Sequence, residues 1–94
     1  MKFFNWNEGK NEWLKENRNI GFEDIVILIS EGNLIEVIGN PGNKYANQFI
    51  FVVNFENYIY LVPFVTHEDE TFLKTIIPSR KMTKKYLGGR RNER

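Results

Sequence analysis

Phe49-Ile50-Phe51-Val52-Val53-Asn54-Phe55, then Glu56-Asn57, then Tyr58-Ile59-Tyr60-Leu61-Val62 is the stretch on which the fold turns. Two runs rich in β-branched and aromatic residues flank a two-residue connector, the pattern of a β-hairpin. Both faces of the second run are apolar, which predicts a central strand covered on two sides. Pro63 follows at once. It has no N–H to give to a ladder, so a bulge or a change of pairing is expected there. Upstream, Leu34-Ile35-Glu36-Val37-Ile38 reads as a short strand and Gly39-Asn40-Pro41-Gly42-Asn43 as a turn. Downstream, His67-Glu68-Asp69-Glu70 reads as an acidic turn. Residues 72–77 read as a fourth strand, with Leu73, Thr75 and Ile77 on one face and Phe72, Lys74 and Ile76 on the other.

The pattern before the hairpin is helical. Asn5 is placed to cap a first helix, with Glu8 as its capping-box partner. That helix runs to Asn17 or Arg18, with Trp6, Trp13 and Leu14 as its apolar stripe and Ile20 just beyond. Lys10 lies along this stripe. Arg18 falls eight residues later on the same side, roughly 12 Å along the axis. Gly21 then breaks the chain. Phe22, Ile25, Val26 and Ile29 repeat at helical spacing, Glu23 and Asp24 suit a first turn, and Gly32 suits a stop. A buried strand is the competing reading, because Ile25-Val26-Ile27-Leu28-Ile29 is rich in β-branched residues. After the sheet, Ser79 caps a last short helix that Gly88 ends. At about 100° per residue, Arg80, Lys81, Lys84 and Lys85 share one arc, and Met82, Thr83, Tyr86 and Leu87 share the other.

The order α-α-β-β-β-β-α predicts an α+β domain: two N-terminal helices, a four-stranded antiparallel meander sheet and a short C-terminal basic helix. One domain spans 1–87, and residues 88–94 read as a flexible basic tail. The expected core is Trp6, Trp13, Phe22, Ile25, Ile29, Phe51, Val53, Tyr60, Val62 and Leu73.

Composition narrows the chemistry. The chain has 94 residues, 41% of them hydrophobic and 15% aromatic, enough for one small core. It has no cysteine, which removes disulfides, thiolate nucleophiles and Cys-based zinc. It has one histidine, so no metal and no cofactor are expected. No apolar run reaches membrane-span length and no secretion signal is read, so the expected location is cytoplasmic, with no membrane partner. The net charge of +1 is unevenly spread. From Ser79 onward seven basic residues face Glu93 alone, a net +6, so the first 78 residues carry −5. Such a segment suits phosphate or an acidic partner.

A catalytic triad is conceivable only around His67, and no nucleophile elbow accompanies it. No glycine-rich phosphate loop is present. Glu68-Asp69-Glu70 offers oxygen ligands but reads as a solvated turn. What remains is Lys and Arg among aromatics, which suits metal-independent RNA cleavage through the substrate's own 2′-hydroxyl. Arg80 offers a rigid fork for phosphate. Lys81, Lys84 and Lys85 extend an RNA-binding track, and Lys10 on its apolar stripe is the candidate for moving a proton. The plainer alternatives are that Lys10 snorkels past Trp13 and that Arg80 pairs with Glu23 or Asp24.

A family resemblance sharpens this. Phe4-Asn5-Trp6-Asn7-Glu8-Gly9-Lys10-Asn11 is similar to the F-x-W-[DN]-x-x-K-N opening of BrnT-type toxins. Ile20-Gly21-Phe22-Glu23-Asp24 resembles that family's V-S-F-E-E segment, and Ile76-Ile77-Pro78-Ser79-Arg80-Lys81-Met82-Thr83 its I-I-S-A-R-[KR]-A-T close. The resemblance implies a RelE-like ribonuclease fold and the toxin half of a type II toxin–antitoxin pair. It also implies a small DNA-binding antitoxin as partner, RNA as substrate, and a homodimer or a heterotetramer with the antitoxin. By position, Lys10 and Arg80 match basic residues the family uses. Arg18 stands where many members have histidine, and Pro78 and Ser79 depart from the family's serine and alanine. The site the resemblance implies is Lys10, Arg18 and Arg80. A non-catalytic nucleic-acid- or protein-binding module on the same fold is the alternative.

Overall fold

The computed structural model describes residues 3–39 and 48–88. The elements in chain order are β1 (Phe3–Trp6), α1 (Glu8–Arg18), α2 (Phe22–Ser30), β2 (Leu34–Gly39), β3 (Gln48–Phe55), β4 (Tyr58–His67), β5 (Glu70–Leu73), β6 (Ile77–Pro78) and α3 (Arg80–Thr83), which continues into one π-helical turn, Lys84–Gly88. The fold is α+β, with a mixed sheet in the order β1-β5-β4-β3-β2.

The hairpin forms as its sequence predicts. β3 and β4 pair antiparallel from Gln48↔Val65 to Phe55↔Tyr58. Glu56 and Asn57 turn the chain with φ of 54° and 64°, the doubly left-handed conformation that matches strand twist. β4 continues through Pro63 to His67, and the expected change of pairing occurs there. Pro63 presents its carbonyl to Lys74 N at 2.8 Å. Its missing N–H faces that same edge, because in an antiparallel strand a residue's N–H and C=O point the same way. No regular ladder fits at that point. β5 pairs the end of β4 and β6 its start, with 74–76 looping between them.

Several expectations are corrected. The sheet is not a four-stranded meander: β1 precedes the helices and runs parallel to β5, from Phe3↔Glu70 to Trp6↔Leu73. The predicted strand at 72–77 divides into β5 and β6. The first helix is capped by Asn7, whose side chain accepts from Lys10 N at 2.8 Å. Asn5 instead lies in β1. The second helix forms, with Gly32 at φ 87° just beyond its end. Ser79 caps the last helix as predicted, accepting from Met82 N at 3.1 Å. Asn40 to Asn43 of the predicted turn and 89–94 of the predicted tail lie outside the described residues, and Gly88 closes the π-helical turn.

α1 and α2 cover one face of the sheet. The core there joins Leu14, Ile20, Phe22, Ile25 and Leu28 to Phe51, Val53, Val62, Phe64, Leu73 and Ile76. Trp6, Ile29 and Tyr60 pack against it partly buried. Trp13 does not belong to it and is 45% exposed. With Trp6 on a strand, no helical stripe joins the two tryptophans, and Asn11 and Leu14 turn inward instead. Alternation puts Val52 and Ile59 on the opposite face, where both are fully buried. The C-terminal helix lies on that side. Ile59 N donates to Thr83 Oγ1 at 2.8 Å, and the Tyr86 hydroxyl hydrogen-bonds Glu36 on β2.

Candidate functional site

α1 carries two of the predicted site residues on one aromatic platform. Lys10 Nζ lies 4.8 Å from the centroid of the Trp13 ring and the Arg18 guanidinium 5.2 Å from it. Lys10, three residues before Trp13, shares its side of the helix, whereas Arg18, five residues on at the end of α1, reaches the ring by its length. Such cation–π contacts hold long side chains in place. Arg18 also donates from Nη1 to the carbonyl of Ile76. That bond fixes the end of α1 to the loop that leads, through β6 and Ser79, to Arg80. Lys10, Trp13 and Arg18 therefore form one cluster, and Arg18 ties it to the segment that bears Arg80.

Arg80, Lys81, Lys84 and Lys85 are all exposed, whereas Met82, Thr83, Tyr86 and Leu87 are partly buried. The predicted segregation of basic and apolar faces holds. The helix itself is shorter than predicted: four α-helical residues, then a π-helical turn. Its backbone amides therefore add little to anion binding, and the side chains carry that role. The alternative pairing of Arg80 with Glu23 or Asp24 is not made. Glu23 takes both Asn11 Nδ2 and Lys15 Nζ, and Asp24 accepts from Gly21 N at 2.8 Å.

Sequence reasoning missed Asn11. It is fully buried, its Nδ2 donates to both Glu23 oxygens at 3.0 Å, and its Oδ1 accepts from Phe22 N at 2.7 Å. The Asn11 amide holds the Glu23 carboxyl below the usual carboxylate range, with help from Lys15. In turn Glu23 raises the Lys15 ammonium. Gly21 lets these groups meet: a Cβ there would lie 2.8 Å from Lys15 Cε and 3.0 Å from Asn11 Oδ1. Asn11, Gly21, Phe22 and Glu23 belong to the motifs that resemble BrnT-type toxins. Their work here is to join α1 to α2.

Among the described residues, cavities open on both faces of the sheet. One, about 290 Å³, lies on the helix-covered face among Val37, Phe49, Phe51, Phe64, Thr66 and Thr71. The other, about 340 Å³, lies on the opposite face among Asn5, Val65, His67, Glu70 and Phe72. Among the described residues no three His, Asp or Glu side chains gather as a metal site, and no helix is long and apolar enough to cross a membrane. Compared with family models, curated proteins and solved structures, the chain matches none.

Proposed function

We propose that this protein is a metal-independent endoribonuclease, the toxin half of a type II toxin–antitoxin pair, built on an α+β fold with a mixed sheet. The observation that carries the reading is the Lys10–Trp13–Arg18 cluster, which Arg18 anchors to the loop leading through β6 to Arg80. Arg80 forks onto the scissile phosphate and stabilises charge on the phosphorane as the 2′-oxygen attacks and the 5′-oxygen leaves. Lys10 approaches from α1 and assists proton movement. Trp13, exposed between two cations, offers an RNA base an aromatic edge. Lys81, Lys84 and Lys85 follow the backbone. The antitoxin is a small DNA-binding protein that lays Asp and Glu over this basic surface and so excludes RNA.

A second reading, a binding module without chemistry, is favoured by one observation. Arg18 donates to a backbone carbonyl, so part of its guanidinium serves the fold. Single-turnover RNA cleavage in EDTA separates the two. The wild type is expected to cleave. Arg80→Ala is expected to lose about 100-fold or more, the loss typical of removing one transition-state donor, with its melting temperature unchanged. Arg80→Lys keeps RNA binding and loses most cleavage, because it keeps the charge and not the fork. RNA binding without cleavage by the wild type establishes the binding module. A large drop in melting temperature for Arg80→Ala, with cleavage per folded molecule unchanged, makes Arg80 structural.

A further inference from the structure

The 340 Å³ cavity opens on the sheet face opposite α1 and α2, and none of the residues assigned to RNA cleavage lines it. Three adjacent strands build it. Register places Asn5 of β1 beside Phe72 of β5, Phe72 beside Val65 of β4, and Glu70 of β5 beside His67 of β4. Period-two alternation puts all five side chains on the face opposite α1 and α2. Phe3, next to Glu70 in the parallel ladder and 69% exposed, stands at its margin. The volume is at the low end of the range for small-ligand sites.

The polar groups converge on one type of partner. Asn5 Nδ2 donates to Glu70 Oε2 at 2.7 Å, and Asn5 Oδ1 accepts from Trp6 N at 2.9 Å. Asn5 thus orients the carboxylate through one N–H, while its oxygen is tied to the Trp6 amide. Glu70 keeps its second oxygen and further lone pairs for a ligand. A carboxylate so held is best met by two parallel N–H donors on adjacent atoms. Guanine offers this pair at N1–H and N2–H on its Watson–Crick edge. Adenine, cytosine and uracil each place an acceptor in one of those positions, which a carboxylate repels. His67 and Phe72 supply rings on which an unstacked base can lie, the usual mode of single-stranded recognition. Lys74 Nζ, 5.7 Å from the centre of the Phe72 ring, adds a cation for an adjoining phosphate.

We propose that this pocket binds a guanine base, free or within single-stranded RNA. As an RNA subsite it rests on the ribonuclease reading, since the C-terminal basic helix lies at the other end of the same sheet face. As a nucleotide site it stands without that reading.

His67 is the chain's one histidine, so its imidazole proton resonance reports on this pocket alone. Titration with GMP, IMP and AMP is expected to move that resonance saturably for GMP, more weakly for IMP, and about tenfold or more weakly for AMP, the loss expected when charged hydrogen bonds are not made. Glu70→Gln is expected to lose the preference for GMP over AMP while keeping the fold. Phe72→Leu is expected to weaken all three nucleotides alike. An oligonucleotide with a single guanosine, compared with adenosine at that position, tests the RNA source. GMP and AMP moving the His67 resonance equally, or GMP leaving it unmoved, overturns the proposal. Cleavage in EDTA separates the two readings. GMP selectivity without cleavage keeps the pocket and removes the ribonuclease. Cleavage whose site choice is the same in wild type and Glu70→Gln keeps the ribonuclease and removes the pocket as its RNA subsite, leaving the nucleotide site to the His67 titration.

Discussion

Asn11 uses both ends of its amide on a single joint. Its Oδ1 satisfies the buried N–H that opens α2, and its Nδ2 grips the carboxylate one residue further on. Glu23 keeps Lys15 as a second partner, but the buried N–H of Phe22 relies on Asn11. Asn11→Ala leaves the Phe22 N–H buried without an acceptor, a loss of about 1–3 kcal/mol. It also removes the largest cause of the lowered Glu23 pKa. The sign follows from linkage. A carboxyl held low in the folded state stabilises it fully above the unfolded value of about 4.3, and that contribution fades as pH falls through the folded value. Denaturant melts of Asn11→Ala and wild type are therefore expected to differ more at pH 7 than at pH 3. A gap that is constant across this range would show that Glu23 contributes nothing through Asn11.

Elements show where the sequence was legible and where it was not. The β3–β4 hairpin could be read because its signal is local: period-two runs and a two-residue connector. Even so, the connector is imperfect. Glu56 and Asn57 both take positive φ, and a Cβ in that region costs roughly 1–2 kcal/mol per residue, less for Asn and nothing for Gly. Replacing the pair together, Glu56→Asn with Asn57→Gly, is expected to raise stability by about 1 kcal/mol, seen as a higher denaturant midpoint at unchanged slope. β1 was illegible for the opposite reason. Its four residues show only Phe4 and Trp6 alternating inward, its partner β5 lies more than sixty residues away, and Asn5 with Glu8 imitates a helix cap. That single misreading placed Trp13 in the core. It also hid the pocket, since Asn5 joins Glu70 only when β1 is a strand. Lys10 and Arg18 do meet at Trp13, Lys10 through i+3 spacing and Arg18 by reaching back from the end of α1. Asn11 stayed invisible, since its partners belong to the next helix and a polar residue carries no periodic signal for burial.

At the scale of the whole molecule, the distribution of charge decides how it meets a polyanion. The body is acidic, yet its one ion pair among the described residues, Lys15–Glu23, lies in the α1–α2 joint. The cations of the last helix stand exposed and without ion pairs of that kind. A face of this sort binds nucleic acid by displacing its counterions, so affinity falls steeply with salt. If the proposed acidic antitoxin competes for the same surface, it is likewise expected to associate faster at low salt. For single-stranded RNA each neutralised phosphate contributes about −0.7 to the slope of log affinity against log salt. If Lys81, Lys84 and Lys85 each engage one phosphate, replacing all three with Ala flattens that slope by about 2. Arg80→Ala flattens it by no more than about 0.7 and acts chiefly on cleavage. Because all three lysines are exposed, the triple variant is expected to keep its melting temperature, so the slope reports on binding and not on folding. An unchanged slope in the triple variant would place the RNA backbone elsewhere, and would leave the basic arc of the last helix to the protein partner alone.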